Sequence, residues 1–132
     1  MVKESLAPSN IDIGQRIVEI LRNSDFRMEA AFWMFDDGEW RLLIATPIVH
    51  EQGRIPAYDL FRSLVANVAD TAAIGERVDL VSPSEGPITL FELAGHPVPL
   101  NRLIQEESID GTWIEGAYIY FFDPHTFLTF ED

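Results

Sequence analysis

Two apolar runs separated by Asp37-Gly38 constrain the fold of this chain more than any other feature of its sequence. An Asp-Gly pair between such runs is among the strongest short-range signals of a β-hairpin with a two-residue turn. We therefore predict strands over about 26–36 and 39–46. Because the turn length fixes the register, the predicted cross-strand pairs are Phe35 with Trp40, Trp33 with Leu42, Phe32 with Leu43, and Ala31 with Ile44.

In this register both faces of the predicted hairpin are apolar. Trp33 and Trp40 lie on one face, and Phe32 and Leu43 lie on the other. A sheet with one face in water would alternate apolar with polar residues instead. Either layers of the same chain cover both faces, or one face is a subunit interface. Since 132 residues leave little chain for three full layers, we expect a homodimer.

Helical and extended patterns alternate on either side of the hairpin. Apolar residues at helical spacing predict a helix over about 12–23, after a flexible arm at 1–9. Asp12 and Gln15 have the spacing of a capping box at the start of that helix. Residues 48–54 have the pattern of a loop.

The patterns beyond this loop predict the remaining elements. Apolar residues four apart predict a helix over about 56–73. Short β-rich runs predict strands over about 77–82 and 112–122. Pro87 is typical of a helix start and predicts a further helix through Leu93. The apolar residues within 100–104 favour a brief helix.

The resulting order of elements is α-β-β-α-β-α-β. This order indicates a single α+β domain, with helices packed on a central mixed sheet. No apolar run reaches the length of a membrane-spanning helix, and the residues after Met1 have no signal-peptide pattern. We therefore expect a cytoplasmic protein that does not bind membranes.

The net charge of −13 narrows the choice of partners. Most of it lies in residues 67–132, which hold two basic and twelve acidic side chains, a net charge of −10. Such a balance excludes binding to nucleic acid through phosphate neutralisation. Negative charge keeps a protein soluble, and it also attracts a basic protein partner. Both interpretations stay open.

Motifs for common chemistries are absent from the sequence. There is no cysteine, no phosphate-binding loop and no nucleophile elbow. The three histidines, His50, His96 and His125, lack the spacings typical of metal sites. We predict no cofactor and no metal.

One polar edge of the predicted sheet is a candidate ligand site. If the strands at 39–46 and 77–82 are parallel, the loops that follow them lie at one edge, where open α/β sheets bind ligands. Two helix N-termini at that edge would favour an anion. The candidate ligand-binding residues are His50, Glu51, Arg54, Ser82, Ser84 and Glu85.

Aromatic residues on the predicted strands have three interpretations. They belong to the core, as most aromatic residues on central strands do, or line a small-molecule pocket, or form a protein interface. In the pocket interpretation, Trp113 is one of the lining residues. The candidate interface residues are Trp33, Phe35, Trp40, Tyr118 and Tyr120.

Two functions follow from these patterns. The first is a non-enzymatic interaction module that self-associates and binds a basic protein through its acidic second half. Small acidic α+β proteins of this kind include toxin-neutralising immunity proteins and accessory subunits, and the likeness is one of size and charge. The second is a small-molecule or anion-binding domain, or a small enzyme, that uses the edge around His50, Glu51 and Arg54. The absence of a catalytic motif favours the first.

Overall fold

A computed structural model describes residues 6–36, 38–67, 77–82, 100–109 and 112–122. The helices are α1 (Pro8–Arg22), α2 (Ile48–Gln52) and α3 (Arg54–Val65). The strands are β1 (Ala30–Asp36), β2 (Glu39–Ala45), β3 (Val78–Val81), β4 (Leu103–Ile109) and β5 (Thr112–Phe122). These elements confirm the predicted α+β class.

The five strands form one mixed sheet in the order β3-β2-β1-β5-β4. β2 and β3 are parallel, and the other pairs are antiparallel. The predicted register of the first hairpin is confirmed at all four pairs, from Phe35–Trp40 to Ala31–Ile44. Gly38 in its turn has a φ of 85°, a conformation that glycine adopts without steric cost.

One face of the sheet is buried beneath α1 and α3. Ile17 and Leu21 of α1 are fully buried in the same cluster as Trp33 of β1. The ring of Phe61 on α3 meets that of Phe26 edge to face, with 6.4 Å between the ring centres. The apolar stripes of both helices therefore contribute to a single core on this face.

The opposite face of the sheet is also buried. None of its buried apolar residues is more than 8% exposed, and they come from all five strands. They are Ala30, Phe32, Leu43, Ala45, Val81, Ile104, Ile114, Ala117 and Ile119. The buried residues on both faces are thus inaccessible to solvent within one copy of the chain. The fold does not require a second copy, and the homodimer stays a prediction.

The start of the chain differs from the prediction. α1 begins at Pro8, a residue suited to the first position of a helix because its missing N–H has no partner there. No side chain caps this start, so the predicted capping box of Asp12 and Gln15 is wrong. The predicted flexible arm is wrong for its last four residues, because Leu6 is buried in the core and α1 follows it.

Two further segments differ from their predicted structure. The predicted loop at 48–54 contains α2 and the start of α3, which Gly53 separates with a φ of 97°. The predicted brief helix at 100–104 is wrong, because β4 begins at Leu103 and pairs with β5. The helix predicted after Pro87 and the end of the helix predicted over 56–73 lie outside the described residues.

Candidate functional site

β2 and β3 are parallel, the condition on which the candidate ligand site depends, so their carboxyl ends meet at one edge of the sheet. Ala45 faces Val81, and the Thr46 N–H donates to the Val81 carbonyl at 2.9 Å. Thr46 is fully buried, and its hydroxyl accepts a hydrogen bond from the Ile48 N–H at 3.2 Å. α2 therefore begins directly at this edge and places His50 on its exposed surface.

Two side chains of α3 close the outer edge of β3. Arg54 Nη1 donates to the Leu80 carbonyl at 3.0 Å, and the Tyr58 hydroxyl accepts from the Leu80 N–H at 3.0 Å. The Val81 carbonyl points to β2. Because backbone groups alternate in direction along a strand, the N–H and carbonyl of Leu80 point away from β2. These contacts satisfy polar groups that an edge strand would otherwise present to another chain. Arg54 is a candidate residue of the predicted anion site, and its guanidinium donates a hydrogen bond to the backbone of β3.

The other candidate ligand-binding residues at this edge differ in their exposure and in their contacts. The Glu51 carboxylate pairs with Arg27, whose hydrogen bond holds the pKa of Glu51 below its usual value. His50 is exposed and Ser82 is half-buried. Ser84 and Glu85 lie outside the described residues. In the described part of the chain, no three His, Asp or Glu side chains are placed to hold a metal ion.

Arg54→Met is expected to lower the free energy of unfolding by about 1 kcal/mol, because the Leu80 carbonyl loses a charged donor. Methionine keeps much of the apolar length of the arginine side chain. Urea denaturation measures the change, with Arg16→Met on the exposed side of α1 as the control. Equal changes in the two variants would show that the contact of Arg54 with β3 contributes nothing.

Three of the predicted interface residues belong to the core. Trp33, Trp40 and Tyr120 are 0%, 4% and 6% exposed. Trp33 Nε1 donates to the Tyr120 hydroxyl at 3.0 Å, and that hydroxyl donates to the Ile11 carbonyl at 2.6 Å. Burial raises the pKa of Tyr120. Phe35 and Tyr118 are half-buried, and their interface role stays a prediction.

The hairpin of β4 and β5 places a large aromatic side chain in solvent. Trp113 is 63% exposed, whereas the next residue, Ile114, is buried. Ser108 of β4 faces Trp113 across the hairpin, and it is exposed, as are Glu106 and Glu115. We call Glu106, Ser108, Trp113 and Glu115 the hairpin surface.

Two signals in the sequence indicate this surface. Ile109 faces Thr112, so Asp110-Gly111 separates the paired strands, and this is the dipeptide that marks the first hairpin. In the sequence, Trp113 also lies two residues from Glu115, and acidic residues are rarely buried. Together these signals indicate a hairpin with Trp113 on its solvent side.

No protein family, curated protein or solved structure matches this chain. Within the described ranges, no helix has the length and apolar character needed to cross a membrane.

Proposed function

We propose that the chain is a non-enzymatic protein-interaction module that binds a basic partner through the hairpin surface. The observation that carries this proposal is the exposure of Trp113. Tryptophan is enriched among the residues that dominate binding energy, whereas leucine is under-represented there. Trp113 therefore differs from Leu100, which is also exposed but is of a residue type common on surfaces without function.

The charge of the chain supports a basic partner. The net charge is −13, and −10 of it lies in residues 67–132, which include the hairpin surface. Glu106 and Glu115 are exposed residues of that surface. Opposite charges raise the rate of encounter and exclude partners of like charge. An accessory or immunity-like role is consistent with binding of this kind.

The alternative function, at the edge around His50, Glu51 and Arg54, has less support. Glu51 is paired with Arg27, and Arg54 holds the Leu80 carbonyl. A ligand that used both side chains would have to replace these contacts. An anion site needs donors that are available to the anion, and Arg54 already donates to the chain itself.

Affinity enrichment with variants tests the proposal. The immobilised chain is expected to retain a basic protein from the cells that produce it, and Trp113→Ala is expected to lose that protein. Ile55→Ala is the matched control, because Ile55 is another exposed large apolar residue and lies on α3. The retained protein is identified by mass spectrometry, and its binding is then measured with purified components.

Both substitutions replace exposed side chains, so both variants are expected to keep the unfolding midpoint of the unchanged chain. Equal retention by the unchanged chain and by Trp113→Ala would contradict the proposal. Equal loss in Trp113→Ala and Ile55→Ala would also contradict it, because binding would then not depend on the hairpin surface.

A further inference from the structure

We propose that Glu106 is a positioning residue for the hairpin surface, because its backbone conformation determines on which face of the sheet Trp113 lies. Its role rests on the function proposed above, in which Trp113 contacts the partner. Glu106 lies in the middle of β4 and has a φ of 50°. This value is in the left-handed region, which residues other than glycine seldom adopt.

The pairing of β4 with β5 is interrupted at Glu106. On either side of it, Gln105 pairs with Gly116 and Glu107 pairs with Ile114, whereas Glu106 itself forms no pair in the described hairpin. The register is the same across this position, so neither strand contains the extra residue that a β-bulge would require. The interruption therefore coincides with the left-handed residue and not with an insertion.

The two faces of β5 exchange at the same position. Ile114 and Ala117 belong to the buried cluster on the face opposite to α1 and α3. Gly116 lies on the other face, beneath the indole of Trp40. Residues two apart on a regular strand share a face, whereas Ile114 and Gly116 do not. β5 therefore reverses its faces between these two residues, next to Glu106 of the paired strand.

This reversal places Trp113 in solvent. Neighbouring residues of a strand point to opposite faces, so Trp113 points away from the face on which Ile114 is buried. If the alternation of β5 were regular, Ile114 would lie on the face of Gly116, and Trp113 would lie on the face of Ala117 with its buried cluster. The 63% exposure of Trp113 therefore depends on the left-handed conformation of Glu106.

Three substitutions of Glu106 test this role, and all three remove the same carboxylate. Glycine adopts a positive φ without steric cost, and asparagine adopts it more readily than most residues. Valine is disfavoured there because its side chain branches at Cβ. Glu106→Gly and Glu106→Asn are therefore the matched controls for Glu106→Val.

The NMR signal of the Trp113 indole N–H, identified by its absence in Trp113→Phe, reports the surroundings of this side chain without any partner. We expect the signal at one position in Glu106→Gly and Glu106→Asn, and displaced or split in Glu106→Val. The signal of the buried Trp33 is expected to stay in place, which shows an intact core. If Glu106→Val does not fold, Glu106→Ala replaces it, since alanine also disfavours a positive φ but is not branched.

Binding of the basic protein that the immobilised chain retains is the second measurement. Glu106→Val is expected to bind it about tenfold more weakly than Glu106→Gly does, because Trp113 is no longer presented to the partner. Glu106→Gly and Glu106→Asn are expected to bind it with affinities equal to within about twofold, since they have the same charge and both adopt the left-handed conformation.

Equal Trp113 signals in the three variants would overturn the positioning role, and so would equal affinities for the retained protein. These outcomes differ from failure of the proposed function. If Trp113→Ala loses the partner while the Glu106 variants bind it equally, only the positioning role fails. If Trp113→Ala keeps the partner, the proposed function fails, whatever the position of the Trp113 signal.

Discussion

Gly14→Ala is expected to lower the free energy of unfolding by about 2–3 kcal/mol. A Cβ atom at Gly14 would overlap the Tyr120 hydroxyl oxygen and would lie 2.9 Å from Tyr120 Cζ and 3.0 Å from Trp33 Nε1. Both of these distances are shorter than an ordinary van der Waals contact. Tyr120 cannot move away without loss of its hydrogen bonds to Trp33 and Ile11. α1 therefore packs against the sheet at Gly14 only because this residue has no side chain.

The sign of this change is informative because helix propensity acts in the opposite direction. Alanine favours a helix interior by about 1 kcal/mol over glycine. Urea denaturation of Gly14→Ala therefore shows whether the steric cost of the added Cβ atom or the gain in helix propensity is larger. Stabilisation by Gly14→Ala would show that α1 does not approach Tyr120 as described.

A double-mutant cycle locates the clash. Tyr120→Phe alone is expected to cost about 1–3 kcal/mol, because the Trp33 N–H and the Ile11 carbonyl lose a buried partner. In the Tyr120→Phe background, Gly14→Ala is expected to cost about 1 kcal/mol less than in the unchanged chain, since the nearest atom is gone. Additive effects would place the clash elsewhere.

Gly116→Ala is expected to lower the free energy of unfolding by about 1–3 kcal/mol. A Cβ atom at Gly116 would lie 2.7 Å from Cη2 of Trp40 and 2.9 Å from Cβ of Phe35. The indole of Trp40 reaches from β2 across β1 to β5, and it meets the Phe35 ring edge to face with 5.4 Å between the ring centres. The indole of Trp40 and the Cβ atom of Phe35 occupy the space that a side chain at position 116 would need.

Thermal and urea unfolding measure the effect of Gly116→Ala. Glu115→Ala is the control, because it changes the adjacent exposed residue of β5 and is expected to alter stability by less than about 0.5 kcal/mol. If the two variants unfold alike, the indole of Trp40 does not lie over Gly116.

The parts of the fold that follow from local sequence patterns were predictable. The Asp37-Gly38 turn determines the register of β1 and β2, and the bounds of β5 follow from its β-rich run. β4 was not predictable in this way. Its sequence LIQEESI has few apolar residues and is a strand because β5 pairs with it, at the edge of the sheet. Strand formation of this kind depends on tertiary neighbours more than on intrinsic preference.

The candidate sites were also predictable only in part. The parallel pairing of β2 and β3 was predictable, because a helical pattern connects their two strand patterns. The role of Arg54 was not, since its contact with Leu80 depends on how α3 lies against an edge strand far away in the sequence. The exposure of Trp113 depends both on the local sequence pattern and on the tertiary fold. Its strand is readable from the sequence, and its exposure follows from the burial of Ile114 on the other face.

The indole N–H signals of the tryptophans test the central claim most directly, in an NMR titration with the basic protein that the immobilised chain retains. The chain has three tryptophans, of which Trp33 and Trp40 are buried and Trp113 is exposed. The Trp113 signal, assigned by its absence in Trp113→Phe, is expected to shift in a saturable manner while the other two stay in place. No saturable shift of the Trp113 signal, or a shift confined to Trp33 or Trp40, would contradict binding at the hairpin surface.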